Sequence, residues 1–253
     1  MTDDLVQVFD SRGDAYKHAF QIFLANTDQK RNARQCLERF VATLPSRRVC
    51  IDAGAGSGEL TAWLSQWFEQ TIAVEPNGFL LDMLRQLVPD AELIPKPILD
   101  AAPSVPADLV LCSHTFYYLE RILWLEHLER LLSWMTPTGA TIVVLQDHDT
   151  DCMTMLERFF GYRFDLADLA QALKAKHGNR YKVELTRDEA HVRTRDLASA
   201  YVIAEFILNL LPIQHVPRRL DLERYVRDHF ATADGGYQFS CHQVFLHITH
   251  PHD

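Results

Sequence analysis

Val49-Cys50-Ile51-Asp52-Ala53-Gly54-Ala55-Gly56-Ser57-Gly58-Glu59-Leu60 decides the fold. An apolar run ends in glycines at every second position, and the helical spacing of Leu60, Trp63, Leu64, Trp67 and Phe68 follows at once. This is a strand, a tight turn and a helix, the opening unit of a nucleotide-binding α/β fold. Glycine permits the sharp turn and lets a ligand approach with no Cβ in the way. The next apolar run, Thr71-Ile72-Ala73-Val74, ends at Glu75. An acid at the tip of a second strand is placed to accept hydrogen bonds from both hydroxyls of a ribose. The spacing is GxGxG, which is neither the GxGxxG of dinucleotide folds nor a P-loop with its GK[ST]. No lysine is present to hold phosphate, and Asp52 ahead of the glycines repels a pyrophosphate but welcomes an ammonium.

Working outward, apolar strand patterns alternate with helical ones. Tyr16, Phe20, Phe23 and Leu24 share one helical face, and Leu37, Phe40, Val41 and Leu44 another, with Thr27-Asp28 as break and cap. After Glu75, the pattern predicts a helix over 79–88, a short strand over 91–94 and a loop over 95–106. A buried fourth strand is expected at 108–112, a helix at 119–135 closed by Pro137-Thr138-Gly139, and a fifth strand at 140–145. Such alternation implies a doubly wound, mostly parallel Rossmann-like α/β sheet with helices on both faces. The glycine turn and the tips of strands one, two and four then line one crevice. Past Asp147 the rhythm breaks into helices at 153–160, 165–177, 197–211 and 221–230, with strands at 181–185 and 244–248. The expected division is an N-terminal helical cap over 1–46, the core over 47–149, a substrate-capping insertion over 150–235, and C-terminal strands over 236–253 that complete the sheet.

Composition excludes several classes. The chain has 253 residues, 47% of them hydrophobic, which is enough to bury a sizeable core. A formal net charge of -9 with no Lys/Arg-rich tract disfavours a nucleic-acid partner, whose phosphates would dominate binding. No apolar stretch has membrane-spanning length, and the acidic start Met1-Thr2-Asp3-Asp4 is unlike a signal peptide. The five cysteines, Cys36, Cys50, Cys112, Cys152 and Cys241, form no CxxC pair, which suits a reducing, cytoplasmic setting. The expectation is a monomer acting on a small molecule.

Residues 52–58 match the Asp/Glu-x-Gly-x-Gly-x-Gly motif of the class I methyltransferases that use S-adenosyl-L-methionine (AdoMet), and the chain resembles that class. The resemblance implies AdoMet as cofactor, with Asp52, Gly54, Gly56, Gly58, Glu75, Pro76, Ile98, Leu99 and Ser113 as its contacts. The stretches Tyr16-Lys17-His18-Ala19-Phe20 with Thr27-Asp28, and Asp108 through Leu119 (DLVLCSHTFYYL), are similar to the histamine N-methyltransferase family. That similarity implies an amine acceptor. It puts Tyr16, Phe20 and Asp28 on the acceptor side together with Tyr117 and Tyr118, and His114 stands where that family has a glutamine.

The residues themselves also suggest chemistry. His114 follows a strand tip, and imidazole can take a proton near neutral pH. Tyr117 and Tyr118 could stabilise a cation over their faces. Asp147, in the run Asp147-His148-Asp149-Thr150-Asp151, could face the pocket. This run suggests the Mg²⁺ site of catechol-type enzymes, but Ser113-His114 offers no acid after strand four, so no metal is expected. The terminal His247, His250 and His252 read as a strand end and tail rather than a metal site. Two other readings remain: a nucleic-acid base methyltransferase, whose Asn/Asp-Pro-Pro-Tyr motif is absent, and a cyclase forming azetidine-2-carboxylate and methylthioadenosine from AdoMet. A cyclase needs a small closed pocket, whereas the long 150–235 segment with Tyr162, Phe164 and Phe206 suits a separate acceptor.

Overall fold

The computed structural model describes residues 4–10, 13–211, 213 and 215–251. Met1, Thr2 and Asp3 of the acidic start and His252 of the terminal run lie outside them. Elements follow in the order α1 (Asp14–Asn26), α2 (Gln29–Thr43), β1 (Val49–Ala53), α3 (Glu59–Leu64), β2 (Gln70–Val74), α4 (Gly78–Leu87), β3 (Glu92–Ile94) and β4 (Ala107–Ser113). Then come α5 (Trp124–Leu132), β5 (Met135–Gln146), α6 (Asp151–Phe160), α7 (Leu166–His177), β6 (Lys182–Asp188) and β7 (His191–Thr194). The chain continues with α8 (Leu197–Leu208), α9 (Arg219–Phe230), β8 (Tyr237–Ser240) and β9 (Gln243–Thr249).

Two units make up the chain. One contains Cys36–Leu145, Leu166–Thr186 and Val244–Asp253; the other contains Met1–Gln35, Gln146–Asp165 and Arg187–Gln243. The first is built on a seven-stranded sheet in the order β3-β2-β1-β4-β5-β9-β6. The pairs β2/β3, β1/β2, β1/β4 and β4/β5 are parallel. Parallel central strands are covered on both faces, which is why β1, β2 and β4 read as unbroken apolar runs. Ile51, Ile72, Leu109 and Leu111 are fully buried, each contributing about 1.5–3 kcal/mol of burial. Away from the strand tips, Asp108 ties β4 to the start of β1. Its Oδ2 accepts from Ser46 Oγ at 3.0 Å and from the Arg48 and Val49 backbone N–H groups at 2.8 and 3.3 Å.

Helix ends follow local chemistry. Asn77 Oδ1 caps α4 by accepting from the Phe79 and Leu80 N–H groups. Thr150 caps α6 at its start, and Gly161 ends it in the left-handed conformation at φ 70°. The helix expected over 119–135 begins only at Trp124. Trp124 Nε1 donates to the Leu119 carbonyl at 3.2 Å, and Leu123 N donates to the Glu120 carbonyl at 2.8 Å, so the preceding turns wind as 3-10. Pro137-Thr138-Gly139 does not separate a helix from a strand. It lies inside β5, where the register against β4 shifts between Ala107 and Leu109. A Cβ on Gly139 would stand 2.9 Å from the carbonyl oxygens of Ala107 and Asp108, so only glycine fits there.

The 150–235 segment is divided between the two units. Residues 166–186 belong with the sheet, and β6 is its seventh strand. As an edge strand β6 is mostly exposed, and its sequence lacks the apolar continuity of the central strands. Of the C-terminal strands, β9 joins the large sheet, whereas β8 pairs antiparallel with β7 in a separate two-stranded sheet. In that second unit Phe230 stacks on Phe239 at 4.4 Å, and α8 carries an apolar run through Ile203, Phe206 and Ile207. No helix among the described residues is long and apolar enough to cross a membrane.

Candidate functional site

Three neighbouring parallel strands deliver the site. Val74 pairs with Ala53 and Ser113 pairs with Val144, so the tips of β2, β1 and β4 end at one edge of the sheet. The ladder continues beyond the strands: Gly54 N and Ala55 N both donate to the Val74 carbonyl, and His114 N donates to the Val144 carbonyl at 2.9 Å. Everything that follows β1, β2 and β4 is thereby fixed to the sheet.

At the tip of β2, Glu75 is buried and its carboxylate is already engaged. Oε2 accepts the Gly56 backbone N–H at 2.9 Å and Oε1 accepts that of Asn77 at 2.8 Å. A carboxylate offers about four acceptor directions, so each oxygen keeps capacity for a hydroxyl donor. The glycines differ in purpose. Gly56 has φ 58°, and a Cβ there would meet nothing within 4 Å. Gly54, at φ 79°, faces the side chain of Thr115 instead. Asp52 lies below the turn, 2% exposed, and accepts from Thr61 Oγ1 at 2.6 Å. Burial pushes its carboxyl up to about 6; the Thr61 hydroxyl opposes that and the charge of Glu75 adds to it.

After β4 the chain turns at His114, whose φ of 54° makes it the one non-glycine with positive φ among the described residues. Such a conformation costs a non-glycine residue roughly 1–3 kcal/mol and clusters at functional sites. The turn brings the imidazole against Tyr117. Nδ1 lies 3.2 Å from Tyr117 Oη, and the rings stack at 5.8 Å with 22° between planes. Tyr117 is buried at 5% exposure, while Tyr118 is 62% exposed, as adjacent residues in a tight turn require. Ser113 is half-buried at the strand end, Pro76 is exposed beside Glu75, and Ile98 and Leu99 sit in a 3-10 turn after β3.

The remaining candidates belong to the other unit and have partners there. Tyr16 and Phe20 pack in a cluster with Phe23 and Phe206, with centroids 5.5–6.5 Å apart. Asp28 does not cap α2 through its side chain. It accepts from His191 N at 2.7 Å and pairs with Arg193 at 3.0 Å, and its carboxyl titrates below the ordinary range because these contacts outweigh partial burial. Asp147 pairs with Arg187 Nε at 2.8 Å and lies 3.2 Å from His148 Nδ1. Among the described residues no group of three or more His, Cys, Asp or Glu could hold a metal ion. His247 packs its ring on Phe40 at 4.8 Å, and His250 packs on Tyr181. The partners Thr61, Thr115 and Arg187 carry no sequence signal, since each meets its counterpart through the fold.

A family described as a methyltransferase domain matches residues 25–222. The chain belongs to that methyltransferase family. Its fold is the mostly parallel, seven-stranded Rossmann-like sheet with helices on both faces, and its cofactor is AdoMet. YcgJ from Bacillus subtilis, 13% identical, aligns with a TM-score of 0.61 over 87% of this chain and 100% of its own. N-methyltransferase NodS from Bradyrhizobium japonicum WM9, in complex with S-adenosyl-L-homocysteine (AdoHcy), is 13% identical with a TM-score of 0.54. It covers 95% of this chain and 100% of its own. A protein from Deinococcus radiodurans R1 is 15% identical with a TM-score of 0.54 over 84% of each chain. No curated protein matches the sequence. At such identities the likeness is one of fold, and the methyltransferase's specificity has to be argued from its own residues.

Proposed function

We propose that this methyltransferase transfers the methyl group of AdoMet to an amine nitrogen of a small molecule, directly and without a covalent enzyme intermediate. The open face of Gly56 and the carboxylate of Glu75 fit a nucleoside, with Glu75 taking the ribose hydroxyls. Asp52, Gly54 and Gly58 border the turn, and Pro76, Ile98, Leu99 and Ser113 complete the proposed cofactor contacts. Asp52 supplies negative charge for the cofactor's ammonium. Bound AdoMet supplies a methyl group activated by the positive charge on its sulfur.

The observation that carries the acceptor assignment is the His114–Tyr117 pair beside the cofactor turn. An amine attacks only when neutral, and most aliphatic amines are protonated at pH 7. An imidazole beside the tip of β4 can take that proton, directly or through water, and a hydrogen bond to Tyr117 holds its ring in place. The Tyr117 face adds cation–π attraction of about 0.5–2 kcal/mol for an ammonium or sulfonium. Asp147 and Asp28 each already neutralise an arginine, so the reading gives the proton to His114. Holding nucleophile and methyl in line does the rest, because positioning alone lowers such barriers by several kcal/mol. The likeness of 16–28 and 108–119 to the histamine N-methyltransferase family supports nitrogen as the nucleophile.

The test uses AdoMet deuterated on its methyl group, offered with matched pairs of small aliphatic amines and the corresponding alcohols. Label on nitrogen is the expected outcome. Label on oxygen alone would overturn the amine assignment.

A further inference from the structure

The relation between Thr115 and Gly54 reaches beyond cofactor binding. A Cβ built on Gly54 falls 2.1 Å from Thr115 Oγ1, 2.7 Å from its Cγ2 and 2.9 Å from its Cβ. Thr115 thus fills the place where any other residue at position 54 would carry a side chain. Its hydroxyl lies 3.2 Å from the Ser113 carbonyl and 3.4 Å from the Ala53 carbonyl, so one proton is shared between the tip of β4 and the tip of β1. The Thr115 carbonyl in turn accepts the Tyr118 N–H at 3.0 Å and closes the turn that carries Tyr117. His114, in its left-handed conformation, is held between these two anchors.

Close-packed groups in contact transmit a displacement, because no void is available to absorb it. A shift of the glycine turn presses on Thr115, and Thr115 is joined by one bond to His114. We propose that Thr115 is a positioning residue that couples occupancy of the cofactor turn to the His114–Tyr117 pair, so that cofactor binding sets the imidazole for the acceptor. This inference rests on the reading of the glycine turn as the AdoMet site. It makes the cofactor the first ligand to bind productively, since the acceptor-side imidazole takes its working position only afterwards.

The experiment compares wild type, Thr115→Ser and Thr115→Val in the full chain. Thr115→Ser keeps the shared proton; Thr115→Val keeps the shape and removes it. Isotope-labelled histidine allows the His114 ring resonances and their pH titration to be followed with and without AdoHcy, and calorimetry gives AdoHcy affinity. In wild type and Thr115→Ser, AdoHcy is expected to shift the His114 resonances and the pH midpoint. In Thr115→Val that response is lost while AdoHcy affinity stays within about threefold. A full His114 response in Thr115→Val overturns the inference, as does a parallel loss of AdoHcy affinity in both variants, which would make Thr115 a support of the cofactor turn alone. Failure of wild type to bind AdoHcy would overturn the cofactor reading itself, a separate result.

Discussion

Glu75 Oε2 accepts the backbone N–H of Gly56 at 2.9 Å, so the acid at the tip of β2 is part of the glycine turn after β1. The same carboxylate bonds Asn77 N, which places it at the start of α4 as well. Glu75 therefore shapes the turn and is oriented by it.

Replacement of Glu75 by alanine removes a charge-assisted acceptor and leaves two backbone donors without it. Affinity for AdoHcy is expected to fall by about 1.5–3 kcal/mol, roughly one to two decades, by calorimetric titration. Unchanged affinity would remove Glu75 from the cofactor site.

In the role proposed for it, Asp52 is expected to set cofactor binding and stability against each other as pH changes. Its folded-state value of about 6 lies above the ordinary 3.8, so the ionised form is disfavoured by folding. The cost, roughly 3 kcal/mol, is fully present above about pH 6 and is relieved as pH falls toward 4. A cofactor ammonium favours the ionised form, so AdoHcy affinity is expected to fall as pH drops through 6. Asp52→Asn should be more stable than wild type at pH 7.5 in denaturant melts, bind AdoHcy more weakly, and lose the pH dependence. A wild-type affinity that stays flat between pH 5 and 7.5 would contradict the assignment.

The two glycines are expected to separate packing from the proposed binding. At Gly54 an added Cβ collides with Thr115, so Gly54→Ala should lower the melting temperature markedly. At Gly56 the space is open and only the left-handed backbone resists, at about 1 kcal/mol, so Gly56→Ala should fold and lose AdoHcy affinity. The reverse ranking in the two assays would show that the wrong glycine has been given to the ligand.

Much of this arrangement was legible in the sequence. The apolar runs of β1, β2 and β4 and the glycines between β1 and α3 gave the sheet and its carboxyl edge, because strands buried on both faces leave an unmistakable pattern. Less was readable at the margins. The strand expected at 181–185 is β6, but its exposed sequence does not tell that it closes the large sheet, and β7 and β8 pair across more than forty residues. The winding of 116–123 is set by Trp124 reaching back to Leu119. Asp28 and Asp147 looked available because the arginines that neutralise them, Arg193 and Arg187, arrive from distant segments. Long-range ion pairs of this kind follow from topology, and sequence spacing does not report them.

His114 should separate turnover from stability. Glycine at a left-handed position is favoured over alanine by about 1 kcal/mol, so His114→Gly should melt higher than His114→Ala. Both remove the imidazole, and both are expected to bind AdoHcy normally and to lose amine turnover, with kcat affected more than the affinity for AdoHcy. Equal melting of the two variants would mean that the backbone strain is absent, and full turnover in either would remove His114 from proton transfer.

The most direct test of methyl transfer to an amine is the product formed from AdoMet. With a panel of small primary and secondary amines, chromatography with mass detection is expected to show AdoHcy together with one methylated amine, in equal amounts, and neither when the amines are left out. Methylthioadenosine accumulating without any acceptor would contradict the account, because the sulfonium would then be breaking on its other arm.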